Sequence, residues 1–257
     1  MTEKTQETGR LSEAVQRLNT ADRVFVANNL RPKDAATLLI LDRAAGGPVR
    51  VLMGRRHMRH KFFPGAYVFP GGRVDPMDSR TPLADDFDPL TRDKLAAALK
   101  GPKTAARVRA FGVAAIRETY EEAGFLIGRR PEGGVPALKG ELAAFSERGL
   151  LPGLGALRFV ARAITPPRRP RRFDTRFLAC FAGDVADRTA DGLGPSGELE
   201  DVAWLTFEEA KKTEIPPITV TILDEIAHRL ESDPGLDPTG AVPFYYWLGK
   251  GFRRVLI

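Results

Sequence analysis

The stretch AARVRAFGVAAIRETYEEAG, Ala105 to Gly124, constrains the fold more than any other part of the chain. As a helix it carries Gly112, Ala115, Ile116, Thr119 and Ala123 along one mostly small, apolar side, which calls for close packing against another element. Gly124 is a natural C-terminal stop. Glu118, Glu121 and Glu122 then share one face of the last turn, because offsets of three and four residues bring side chains together.

That crowding is unfavourable on two counts. Two acids about 6 Å apart repel by roughly 3 kcal/mol at an effective dielectric near 20, and a like-charge i,i+4 pair such as Glu118/Glu122 weakens a bare helix by about 0.2–0.5 kcal/mol. The negative end of the helix dipole also favours cations there, not acids. Arg117 can orient one carboxylate but cannot balance three. A divalent cation can, and an all-oxygen ligand set selects Mg²⁺ or Mn²⁺ before zinc. Taken alone, a solvated acidic helix face accounts for the same residues.

The chain has 257 residues, 43% hydrophobic and 28% charged, enough for one large domain or a domain with extensions. Its single cysteine, Cys180, cannot form a disulfide within the chain and suits a reducing compartment. No apolar run reaches membrane-spanning length, and MTEKTQETGR lacks the order of a signal peptide, so the expectation is a cytoplasmic protein with no membrane partner. Net charge is +6, with basic residues gathered in RRHMRHK (Arg55, Arg56, His57, Arg59, His60, Lys61) and in PRRPRRFDTR (Arg168, Arg169, Arg171, Arg172, Arg176). Neither run comes with a zinc-finger spacing, a basic region with heptads or an RNA-binding aromatic signature. A phosphate-bearing small molecule is therefore favoured over nucleic acid.

Along the chain, residues 1–30 read as an N-terminal extension with a short helix around LSEAVQRL. AATLLILDR and VRVLMGRR form a hairpin across AAGGP, and a further short strand at AYVF is closed by a PGG turn. Residues 75–105 read as an insertion with a helix at TRDKLAAALK. RFVARAITPP and RFDTRFLACFAG are strands flanking the Arg/Pro turn, EDVAWLTFEEAKK is a strand running into a helix, ITVTILDEIAHRL is an amphipathic helix, and the aromatic tail PFYYWLGKGFRRVLI is a strand. Strands on both sides of a central helix predict a mixed sheet between helical layers, an α/β (α+β) fold.

RETYEEAG, preceded by VFPGG, resembles the signature of the Nudix hydrolases, G-x5-E-x7-R-E-U-x-E-E-x-G-U with U aliphatic. Arg117, Glu118, Glu121, Glu122 and Gly124 match its second half, while Thr119 and Phe125 fill the U positions less typically. Gly72 is the opening glycine, 45 residues before Arg117 instead of the usual 14. Counting back from Arg117, the box's first glutamate falls on Arg109. The enlarged box, with PGAYVFPGGRVD, RFDTRF, GELEDVAWLTFEEA and IPPITVTILDEI, is similar to the branch that includes the peroxisomal coenzyme A diphosphatases. The resemblance implies a Nudix-like α/β/α sandwich over residues 31–257 with the insertion at about 75–105, and it implies the capacity to form a homodimer. It also implies a divalent-metal-dependent (Mg²⁺ or Mn²⁺) hydrolase cleaving the diphosphate of a nucleoside diphosphate linked to another moiety, coenzyme A or acyl-coenzyme A among them. A Nudix-fold nucleotide-binding or regulatory module is the alternative.

On this reading Glu118, Glu121 and Glu122, with the Gly72 carbonyl, are the metal ligands. Glu118, Glu121 and Arg117 are the catalytic set, Arg117 holding a carboxylate in place. For a general base the candidates are Glu118, Glu198, Glu200 and Asp174, against readings of Glu198 and Glu200 as exposed acids and of Asp174 as the partner of a nearby arginine. Arg55, Arg56, Arg171, Arg172 and Arg176 are the candidate phosphate-binding residues, since guanidinium forks match phosphate oxygens; a solvated basic loop is the competing account. His57 and His60 read as surface residues, Cys180 as a packing residue, and Trp204 and the Phe244–Trp247 aromatics as core or dimer face.

Overall fold

Strand β1 (Lys33–Asp42) is the axis of the sheet, and its apolar residues look both ways. Ala36, Leu38 and Ile40 enter one core with Phe111 and Ile116, while Leu39 and Leu41 enter a second with Ile222, Leu223 and Ile226. A strand buried on both faces needs a near-continuous apolar run, which TLLIL supplies. The computed structural model describes residues 13–20, 28–43, 47–59, 64–97 and 99–257.

β2 (Arg50–Arg56), β3 (Tyr67–Val68) and β4 (Gly71–Arg73) follow β1; β5 (Phe125–Arg129) and β6 (Leu151–Pro152) precede β7 (Arg158–Ile164) and β8 (Phe173–Phe181). β9 (Val185–Arg188), β10 (Leu199–Thr206), β11 (Pro243–Leu248) and β12 (Gly251–Leu256) complete the strands. The main sheet runs β10-β2-β1-β8-β7-β11-β12, with β3 on β2 and β4 on β1. It is mixed: β1 pairs antiparallel with β2 and β4 but parallel with β8. β6, β5 and β9 form a separate small sheet.

The helices are α1 (residues 13–20 as described), α2 (Pro89–Ala97), α3 (Ala105–Ala123), α4 (Ala143–Glu147), α5 (Phe207–Lys212) and α6 (Pro217–Ser232). α2 and α3 cover one face and α5 and α6 the other, the expected three layers. α3 begins at Thr104, whose hydroxyl accepts the Arg107 N–H at 3.3 Å, and ends at Gly124, whose φ of 74° is a left-handed value that glycine adopts without steric cost.

Two expectations change, and the insertion gains a role. The PGG segment is not a turn: Gly71–Arg73 pair as a strand with Ala35–Thr37, placing the two glycines against α3. The polar insertion contributes to the core, because Phe87, Leu95 and Leu99 are buried with Phe111 and Leu154. The aromatic tail is a hairpin, not a single strand. Of the N-terminal extension, α1 docks onto the body through Leu18, the Arg17–Asp224 pair at 2.8 Å and the Asn19 side chain accepting the Phe252 N–H. Residues 1–12 and 21–27, the 44–46 part of the hairpin turn, His60, Lys61 and residue 98 of the TRDKLAAALK helix lie outside the described residues.

Candidate active site

The C-terminal turn of α3 lies against β4, and the Glu-rich face meets the two glycines there. Glu122 is 4% exposed, and one of its carboxylate oxygens accepts the Gly71 N–H at 3.0 Å. Beside it, a Cβ added at Gly72 would stand 2.3 Å from the Glu118 Cδ, so only a glycine leaves room for that carboxylate. Glu118 and Glu121 converge on one Arg117 nitrogen, Nη1 donating to their Oε1 atoms at 2.8 and 2.7 Å.

Arg117 is itself held from the other side. Its Nε and Nη2 donate to the two oxygens of Asp78 at 2.9 and 3.2 Å, and Nη2 also reaches the Arg73 carbonyl at 3.0 Å. Asp78 is buried in the short 3-10 turn Asp78–Arg80. Sequence reasoning missed this residue. Counting back from Arg117 placed the box's first acid on Arg109, which pairs with Asp86 at 2.7 Å instead. Counting forward from Gly72 finds an acid after five intervening residues, and that acid is Asp78. The insertion therefore lies between Asp78 and Arg117.

The loop after β9 closes over the end of α3. The Ser196 N–H donates to the Glu121 carbonyl at 2.9 Å, meeting one carbonyl that the helix end leaves open. It leads to Glu198, whose carboxylate stands 3.5 Å from Arg56. Glu198 and Arg56 act electrostatically on Glu122, so both belong to this site.

Charge balance decides what the site can hold. Glu118, Glu121, Glu122, Asp78 and Glu198 face two guanidiniums, Arg117 and Arg56. Burial, reinforced by neighbouring carboxylates, pushes Glu118 up to about 7 and Glu122 up to about 8, and burial also raises Glu121. A cluster short of positive charge, built from oxygen donors and backed by glycine, fits a hard divalent cation. With Arg117 engaging Glu118 and Glu121, no three His, Cys, Asp or Glu side chains among the described residues form a ready-made cation cage. The fit rests on charge and donor chemistry, and ligation requires Arg117 to share those oxygens.

The predicted phosphate-binding arginines separate. Successive strand residues point to opposite faces. Val51 and Met53 lie in the α6-side core and Leu52 in the α3-side core. Arg56 therefore faces the glutamates, whereas Arg55 lies on the far face with Glu200, 3.1 Å away. Arg176 is 1% exposed, sandwiched between Asp34 and Asp174 and stacked 4.1 Å over the Phe111 ring. Arg172 ties the Leu30 carbonyl and Asn29 to the Thr165 carbonyl, and Arg171 is exposed on the same turn. Of the general-base candidates, Asp174 is locked in a bidentate pair with Arg162 at 2.8 and 2.7 Å. Glu200 is across the sheet, leaving Glu118 and Glu198 at the cluster.

No family model matches the chain. It is 29% identical to acyl-coenzyme A diphosphatase NUDT19 of Gallus gallus, over 58% of this chain and 54% of that protein, so it spans about half the length of this curated relative. The fold superposes on a Nudix hydrolase from Alicyclobacillus acidocaldarius with a TM-score of 0.58 and 28% identity, covering 77% of this chain and 92% of that one. In sequence and in fold the chain is similar to Nudix hydrolases. The Nudix-like box is divided by the insertion, with Gly72 and Asp78 before it and Arg117 to Gly124 after it, and folding closes the gap.

Proposed function

We propose that this chain is a divalent-metal-dependent hydrolase that cleaves the diphosphate of a nucleoside diphosphate linked to another moiety, with coenzyme A or an acyl-coenzyme A as the candidate substrate. The observation that carries the reading is the buried Glu118–Glu121–Glu122 cluster at the Gly71–Gly72 strand, with more negative charge than its arginines offset. Its likeness to a Nudix hydrolase favours hydrolysis, and the likeness to an acyl-coenzyme A diphosphatase favours that substrate class.

Glu118, Glu121 and Glu122, with the Gly72 carbonyl, would hold Mg²⁺ or Mn²⁺. Such an ion neutralises the diphosphate and lowers the pKa of a water molecule. Arg117, anchored on Asp78, would fix the direction of the Glu118 and Glu121 carboxylates while sharing their oxygens with the ion. Glu198 would accept a proton from an attacking water and Arg56 would meet a phosphate oxygen, readings supported by their proximity to Glu122. The interior position of Arg176 and the opposite-face position of Arg55 argue for structural roles in these two residues.

The non-catalytic alternative rests on the missing first acid and on the long insertion; Asp78, on Arg117, argues against the first of these grounds. The same reading takes residues 31–257 as one catalytic domain acting in the cytoplasm, with the insertion falling after Asp78. Among the described residues no helix is long and apolar enough to cross a membrane. A screen of coenzyme A, ADP-ribose, NADH and dinucleoside polyphosphates with Mg²⁺ and Mn²⁺, reading both product halves, tests the proposal. Metal-dependent release of two phosphate-bearing halves is expected, abolished by Glu121→Gln. No turnover of any diphosphate, or full turnover by Glu121→Gln and Glu122→Gln, would reject it.

A further inference from the structure

The insertion builds a second feature that the carboxylate chemistry does not use. Between the segment 78–86 and the first turns of α3 lies a cavity of about 400 Å³, within the range of small-molecule sites. One of its lining residues is Asp78, whose carboxylate grips Arg117 at 2.9 Å. The cavity thus begins one side chain from the glutamates and runs back along α3 toward Arg109 and Ala106, eight and eleven positions before Arg117. At 1.5 Å per residue that is a path of about 12–16 Å, long enough for one half of a substrate whose diphosphate rests on the cluster.

The lining says what kind of group fits. Asp78, Asp85 and Asp86 face Arg80 and Arg109, so the wall carries no surplus positive charge. Arg109 is also committed to Asp86 through both Nε and Nη2, at 3.0 and 2.7 Å. With three aspartates against two arginines, a further phosphate would meet a net negative wall there. Ser79 and Thr81 add hydroxyls, and Pro82 and Leu83 an apolar strip. Donors and acceptors interleaved with apolar surface suit a neutral group that both gives and takes hydrogen bonds.

We propose that this cavity is a substrate pocket for the neutral, hydrogen-bonding half of the diphosphate substrate, either a nucleoside or an amide-bearing arm. The pocket deepens the hydrolase reading and rests on it. Its specificity comes from the insertion, not from the carboxylate cluster.

Ala106 is exposed on α3, lines the cavity and touches none of the cluster residues, so Ala106→Trp fills the space with little cost to folding. Arg80→Ala removes an exposed donor from the opposite wall. Ala106→Trp is expected to raise KM about tenfold or more with kcat nearly unchanged, and Arg80→Ala to raise it about two- to tenfold, the worth of one hydrogen bond. A rise for coenzyme A but not for ADP-ribose identifies the amide arm, and a rise for both identifies the nucleoside. Saturation-transfer NMR with adenosine and with pantetheine reads binding without metal or turnover. Wild-type signal from at least one fragment, lost in Ala106→Trp, is expected. Fragment binding without hydrolysis of any diphosphate would sink the hydrolase reading and leave the pocket standing. No fragment binding to wild type, or signals and KM values unmoved by Ala106→Trp, would overturn the pocket.

Discussion

In EDTA the stability of this protein should fall as the pH rises. Glu118 and Glu122 sit at about 7 and about 8 in the fold against 4.5 when exposed, chiefly because burial disfavours their charged forms. The native state therefore binds more protons than the unfolded chain between those limits. The slope of unfolding free energy with pH is negative there. Stability is fully present below about pH 4.5 and is lost progressively up to about pH 8. Raising a carboxyl pKa by one is worth about 1.4 kcal/mol, which gives roughly 3 kcal/mol for Glu118 and roughly 5 kcal/mol for Glu122. The two repel each other and titrate as a coupled pair, so the sum is an upper bound and a loss of about 3–5 kcal/mol is expected. For a chain of this size each kcal/mol moves Tm by about 2–4 °C, so Tm should drop by about 6–20 °C between pH 5 and pH 8.5 in EDTA. Thermal unfolding followed by fluorescence, with EDTA and with excess Mg²⁺ or Mn²⁺, measures it. Metal should flatten the profile by binding the ionised form, and Glu122→Gln should flatten it without metal. A metal-free Tm that is level or rises over that range would refute the electrostatic account of the cluster.

Gly72→Ala should reduce kcat about 100-fold with the fold intact, since the added methyl displaces the Glu118 carboxylate; wild-type turnover with a well-folded variant would count against that close approach. Asp78→Asn should leave Arg117 held from the cluster side alone, lowering stability by about 1–3 kcal/mol in urea titration and cutting kcat more than it raises KM. Arg176→Ala should destabilise by about 3 kcal/mol, the low end for a buried pair because Asp34 and Asp174 each retain another arginine, and should leave KM unchanged. A large KM effect there would restore Arg176 as a substrate contact.

The glutamate face was legible because helical periodicity is local: once Ala105–Ala123 is a helix, Glu118, Glu121 and Glu122 share a side wherever the helix packs. β1, β2 and β8 were legible for a related reason, since apolar runs of that length have few alternatives to a buried strand. Pairing across the insertion was not, because nothing local links Asp78 to Arg117; only the three-dimensional closure does. The arginines failed differently. Arg55 and Arg56 are adjacent in sequence yet face opposite ways, a distinction visible once the strand's inward residues are known. Arg176 looked like part of a basic loop, but it is the third residue after Phe173 in a buried strand, held there by two aspartates and an aromatic ring.

Because Asp78 and Arg117 clasp each other at 2.9 Å, the chain between them is a closed circuit whose two ends are already joined at the site. Lengthening such a circuit is thermodynamically mild, about 0.6 kcal/mol for each doubling. Descendants of this chain can therefore lengthen, shorten or redecorate that segment while the glutamates stay where they are, provided something still fills the place of Phe87 beneath it.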